Sequence, residues 1–195
     1  MRKLLAVAVF SLLFASAMQA QSGSVFFGAS AVQGTASTDT VLGIQQVGGG
    51  TFLQAGAEFL IRHHLGVEGE VSWRAHQNLY GGFQPFRPIF FDINGVYAPQ
   101  LGKHVGADLM AGIGAESVRF YTGQYVCSFT SCTNYTSSNH FLGHIGGRLR
   151  LYVHNGFFVG PEAHLYMVHN NVEFTSGNAA RYGVSLGYTF GMEQP

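Results

Sequence analysis

Val105-Gly106-Ala107-Asp108-Leu109-Met110-Ala111-Gly112-Ile113-Gly114-Ala115-Glu116 is the stretch that decides the fold. Val105, Ala107, Leu109, Ala111, Ile113 and Ala115 form one face, with no charge on it. Asp108, Met110, Gly112, Gly114 and Glu116 form the other. A period of two residues is the signature of a β-strand. The alternation continues over about residues 104–120.

Working outward, the same period recurs over about residues 24–33, 52–61, 65–74, 89–98, 140–152, 157–168 and 181–190. That makes eight segments near ten residues each, and a tilted strand needs about 9–11 residues to cross a bilayer. Short connections fall near 62–64, 99–103 and 153–156. Long ones fall near 34–51, 75–88, 122–139 and 169–180. Alternately long outer loops and short inner turns belong to outer-membrane barrels with an even strand number. The reading is an all-β, eight-stranded antiparallel transmembrane up-and-down barrel. Its first connection is long, so both termini are expected in the periplasm.

Composition agrees. Charged residues make up 10% of the 195, against about 25% in a soluble domain. Aromatic residues reach 14%, and glycine occurs 27 times. The formal charge of +0 argues against a nucleic-acid partner, and 47% hydrophobic residues argue against disorder. Beyond residue 21 no apolar run is long enough for a membrane helix, so any crossing is by strands. A soluble barrel would also alternate, with its apolar face inward. The small and ionisable residues of the polar face suit a narrow lumen, and the chain has little charge to solvate a soluble surface.

Residues 1–20 read as a signal peptide, leaving 21–195 as the barrel domain. Met1-Arg2-Lys3 is a positive start, Leu4 to Phe14 an apolar run broken only by Ser11, and Ala15-Ser16-Ala17 and Ala20 offer small residues for cleavage after Ala17 or Ala20. Removing Arg2 and Lys3 leaves eight basic residues against ten acidic ones, a formal charge of −2.

In the last segment Tyr182, Val184, Leu186, Tyr188 and Phe190 alternate on one face. With the signal peptide and eight alternating segments, the chain resembles the small outer-membrane β-barrels of the OmpA, OmpX and opacity-protein type. That resemblance implies residence in a Gram-negative-type outer membrane. It also implies that the five residues serve as the signal read by the outer-membrane insertion machinery. The tail Gly191 to Pro195 departs from the family, which usually ends at the aromatic. No peptidoglycan-binding domain is expected after the barrel.

The polar face carries acids at Glu58, Glu68, Glu70, Asp92, Asp108 and Glu116, and arginines at Arg148, Arg150 and Arg181. Glu162 and His164 share that face. Buried charges are tolerated when paired and hydrogen-bonded. The expectation is an ionic network that plugs the lumen; the alternative is a narrow pore for small ions gated by breaking one pair. His144 and His164, with Glu162, are the histidines placed to meet, which is too little for zinc. Neither a metal site nor a cofactor is expected. Cys127 and Cys132 should form a disulfide in an oxidising compartment.

Some barrels of this size are lipid A deacylases with a His-x-Ser-Asn motif on the late strands. Here the comparable stretch is His169-Asn170-Asn171, without the serine, so no enzyme is expected. Glu173 and Ser176 are nearby, in a loop. The long loops hold Tyr121, Tyr125, Phe129 and Tyr135 among small polar residues, material for a solvated cap or for a surface partner. The functional expectation is an integral outer-membrane protein, in contact with outer-membrane lipid, with a structural or surface-interaction role.

Overall fold

The structure, a computed structural model, describes residues 22–34, 47–62, 64–127, 132–171, 173–174 and 177–191. The signal peptide, residues 35–46 of the first loop, Phe129, Ser176 and the tail beyond Gly191 lie outside the described residues.

Among the described residues ten strands follow one another: β1 (Ser22–Gly34), β2 (Thr51–Arg62), β3 (Leu65–Arg74), β4 (Asn78–Tyr80), β5 (Gln84–Tyr97), β6 (Gln100–Gly102), β7 (Val105–Cys127), β8 (Cys132–His154), β9 (Phe157–Val168) and β10 (Asn178–Phe190). Eight of them close a ring, β1-β2-β3-β5-β7-β8-β9-β10 and back to β1, and every pairing is antiparallel. β4 and β6 are short ribbons at the margins of β5 and β7. The ring leaves no open edge, which a lipid-embedded sheet requires.

The apolar face points out. Leu109 is 57% exposed, Ile113 60% and Ile93 70%, whereas Asp108, Glu58 and Arg181 are buried. In β1 the run Val25-Phe26-Phe27 resolves with Val25 and Phe27 outward and Phe26 inward. Gly112 and Gly114 sit where β7 runs against β5. A Cβ on either would collide with the carbonyl oxygen of Ile93 or Phe91. Between β8 and β9, Asn155 and Gly156 both have positive φ (40° and 86°), as a two-residue hairpin turn demands.

Two connections differ from expectation. Most of the third long loop is strand: β7 and β8 run on together as a hairpin, with Tyr121 opposite Tyr135 and the Cys127–Cys132 disulfide at its tip. The second long loop contains β4, and β5 begins at Gln84 rather than near residue 89.

The inward face also differs from a purely polar one. At the long-connection end it is apolar: Phe52, Phe86, Phe90, Val118 and Leu142 pack with Val47 and Phe174 from the connections. The loops there are therefore more than a solvated cap, because they send side chains into a buried aromatic layer. Phe90 and Tyr166 stack with ring centroids 4.8 Å apart, and Tyr80 meets Phe86, Phe120 and Phe174 edge-on.

Candidate functional site

Below that aromatic layer the lumen is ionic, and strand register explains its shape. Glu58 stands directly opposite Glu68 across β2–β3, and Glu70 opposite Asp92 across β3–β5. Like charges so placed repel. On the far wall Arg148 lies between Asp108 on β7 and Glu162 on β9, each directly opposite it. The long guanidinium side chains of β8 and β10 reach across the lumen to the acids.

Arg148 donates to Glu68 at 2.9 Å and to Glu162 at 3.0 Å, and lies 3.5 Å from Asp108 and 3.6 Å from Glu70. Its guanidinium also sits 3.8 Å from the ring centre of Phe26. Arg150 donates to Asp108 at 2.7 Å, to the Ser24 hydroxyl at 3.0 Å and to Glu58. Arg181 donates to Glu70 and to Glu162, the latter at 3.3 Å. Gln54 donates to Glu162 as well. All of these groups are buried.

Two of the expected members stand apart from the arginines. Asp92 has no guanidinium within 4.0 Å among the described residues; it accepts a hydrogen bond from Asn94 at 2.6 Å, with His144 Nδ1 at 3.6 Å. Glu116 sits higher, level with Phe90, and accepts from Asn171 at 3.0 Å. Asp92 stands opposite Glu70, which takes the Arg181 guanidinium, and Glu116 stands opposite His140 in the register of β7 and β8, so no arginine pairs with either acid among the described residues.

The two lumen histidines meet. His144 Nδ1 lies 2.6 Å from Asn94 Oδ1, and His144 Nε2 lies 2.9 Å from His164 Nδ1. The direction of each of these bonds follows the tautomers of the two rings, and His164 Nε2 lies 3.4 Å from Glu162. Atoms of Glu70, Glu162 and His164 fall within 4.8 Å of one another, the spacing of a metal cluster. Arg181 and Arg148 already engage those carboxylates, so a cation placed there would face two positive neighbours.

At the short-turn end a polar cavity of about 240 Å³ opens, lined by His64, Gln100, Asp108, Arg150 and Thr189 among others. The closing residues Tyr182, Val184, Leu186, Tyr188 and Phe190 all face outward along β10.

One cluster had no signal in the sequence. Ser138 Oγ lies 3.0 Å from His140 Nε2, Glu173 Oε2 lies 2.9 Å from the same nitrogen, and the hydroxyl also donates to Glu173. A hydrolytic relay needs serine and carboxylate on opposite nitrogens of the imidazole. Here both address Nε2, so the carboxylate does not orient the ring toward serine.

No family profile matches the chain, and no curated protein matches it by sequence. Solved structures match by fold. The Ail attachment invasion locus protein of Yersinia pestis, in complex with the heparin analogue sucrose octasulfate, aligns with a TM-score of 0.55 at 13% identity, over 87% of this chain and 98% of that one. Neisserial surface protein A aligns with a TM-score of 0.58 at 6% identity, over 86% and 95%. The N-terminal β-barrel domain of Pseudomonas aeruginosa OprF gives 0.54 at 11%, over 86% and 97%. The likeness is one of fold: an eight-stranded transmembrane barrel of the small outer-membrane kind.

Proposed function

From that fold we propose that the chain is an integral outer-membrane protein with a structural or surface-interaction role, and that its lumen is closed. The long connections face outward and both termini face the periplasm. The observation that carries the closed reading is the pair of stacked layers inside: Arg148, Arg150 and Arg181 bound to carboxylates on several strands, and beyond them Phe52, Phe90, Leu142 and Tyr166. Outer-membrane lipid surrounds the wall, and the closing strand presents Tyr182 to Phe190 to the insertion machinery. The hairpin of β7 and β8, with Tyr121, Tyr125 and Tyr135, is the surface offered to a partner.

Planar-bilayer recording tests the closed lumen. Purified protein should stay silent at all voltages; regular single-channel steps would overturn the closed reading. They would favour a narrow gated pore, for which the polar cavity at the short-turn end speaks. A lipid-modifying activity has less support, because His140 carries serine and carboxylate on one nitrogen. Expression should therefore leave the masses of the membrane lipids unchanged.

A further inference from the structure

The lumen uses Arg148, Arg150 and Arg181, and Arg74 reaches inward to the Gly48 carbonyl at 3.3 Å. Arg62 and Lys103 lie at the short-turn end. Of the eight basic residues after the signal peptide, that leaves Arg87 and Arg119. They stand directly opposite one another on β5 and β7. Their strand neighbours Phe86 and Val118 are fully buried in the lumen, so the alternation sends both arginines to the outside wall.

Two like charges directly opposed repel, and neither arginine has a carboxylate partner among the described residues. The side chains splay apart. Arg87 donates weakly to the Ala75 carbonyl at 3.4 Å, while its Nε is shut off from solvent without an acceptor. Arg119 lies against the Tyr135 ring at 4.8 Å. What the pair lacks is an anion that accepts from both.

The wall around them fits a particular anion. Ser137 is opposite Arg119, and Ser117 is opposite Asn139 in the next outward row down, which adds hydroxyl and amide donors. The following row is Phe91, Ala115 and Phe141, with both phenylalanines exposed and the alanine forming a dip between them. Cationic and polar groups above an apolar slot match a molecule with a phosphate at one end and hydrocarbon at the other. We propose that Arg87 and Arg119, with Ser117, Ser137 and Asn139, bind the phosphate of a membrane lipid whose acyl chain lies against Phe91, Ala115 and Phe141. Guanidinium groups suit phosphate because they donate two hydrogen bonds in its plane. Placing that lipid in the outer leaflet rests on the proposed orientation of the barrel.

Native mass spectrometry of the micelle-extracted barrel tests the site with three probes: diphosphorylated lipid A, the same lipid with its phosphates removed, and inorganic phosphate. The phosphorylated lipid should be retained, and Arg87→Gln/Arg119→Gln should weaken retention about tenfold or more. Arg62→Gln, at the other end, should not. The dephosphorylated lipid should bind the unmodified protein no better than the phosphorylated lipid binds the double variant. Inorganic phosphate should not displace the lipid. Arg87→Lys/Arg119→Lys keeps the charge and should retain an intermediate amount; it also serves if the Gln variant does not fold, which heat-dependent gel migration reports. Equal retention by wild type and the Gln variant, or no preference for the phosphorylated lipid, overturns the proposal. An epitope inserted between Gly81 and Gly82 and probed on intact cells reads orientation separately. An inaccessible epitope overturns the outer-leaflet placement, while the lipid measurement still decides the site.

Discussion

Arg148 shows what a single side chain does here. Its guanidinium has four carboxylates within 4.0 Å, drawn from β3, β7 and β9. Removing it leaves Glu68 charged with no other cation within 4.0 Å among the described residues, while Arg150 still holds Asp108 and Arg181 still holds Glu70 and Glu162; breaking a buried pair in this way costs about 3–5 kcal/mol. Arg148→Gln should therefore lower the unfolding free energy by about that amount in a reversible urea titration in lipid. Arg148→Lys should recover only part, because an ammonium cannot fork to Glu68 and Glu162 together. A loss under about 1 kcal/mol for the Gln variant would mean the pairs contribute no more than exposed ones do. On the other side of the wall, Leu109 points outward. Leu109→Arg should cost about 2–4 kcal/mol in the same assay if the residue lies near mid-bilayer, and close to nothing if strand β7 ran out of phase.

At the scale of elements, β9 matches its sequence segment, 157–168, to the residue. Alternation from Val159 to Met167 is unbroken, and Asn155-Gly156 fixes where the strand can start. The upper half of the β7–β8 hairpin left no such trace. There neither face is buried at the described positions, and Thr122 to Asn139 carries no period of apolar residues. The aromatic layer was hidden for the opposite reason. Where Ile89-Phe90-Phe91 is apolar on both faces, period two disappears and the inward residue cannot be told from its neighbours. The inward acids and arginines were legible once the phase was known. Which acid meets which arginine was not, because the stagger of a closed barrel sets that. The hairpin also carries a prediction of its own. Its tip is held by Cys127–Cys132 and by the Tyr121–Tyr135 contact, outside the network of the lumen. Cys127→Ser/Cys132→Ser should speed proteolysis and hydrogen exchange over residues near 122–137 and leave the unfolding midpoint of the barrel unchanged. A lowered midpoint would show that the tip is coupled to the wall.

Across the whole molecule, the aromatic and ionic layers lie in series along one axis. On the proposed closed reading, each spans the cross-section with different chemistry: rings at the long-connection end, guanidinium–carboxylate pairs below them. Barriers in series add, so an ion must pass both, and removing either alone leaves the other closed. Phe90→Ala/Tyr166→Ala thins the upper layer where the rings stack, and should stay silent in a planar bilayer. Glu68→Gln/Arg148→Gln loosens the lower layer by removing its charges and shortening the arginine, and should stay silent too, because the aromatic layer above it is intact. The four substitutions together should give small steps, because they join the cavity at the short-turn end to the outer mouth. Heat-dependent gel migration must first show that each variant keeps its barrel. If either pair of substitutions alone conducts as well as all four, one layer is the whole barrier and closure in series is wrong.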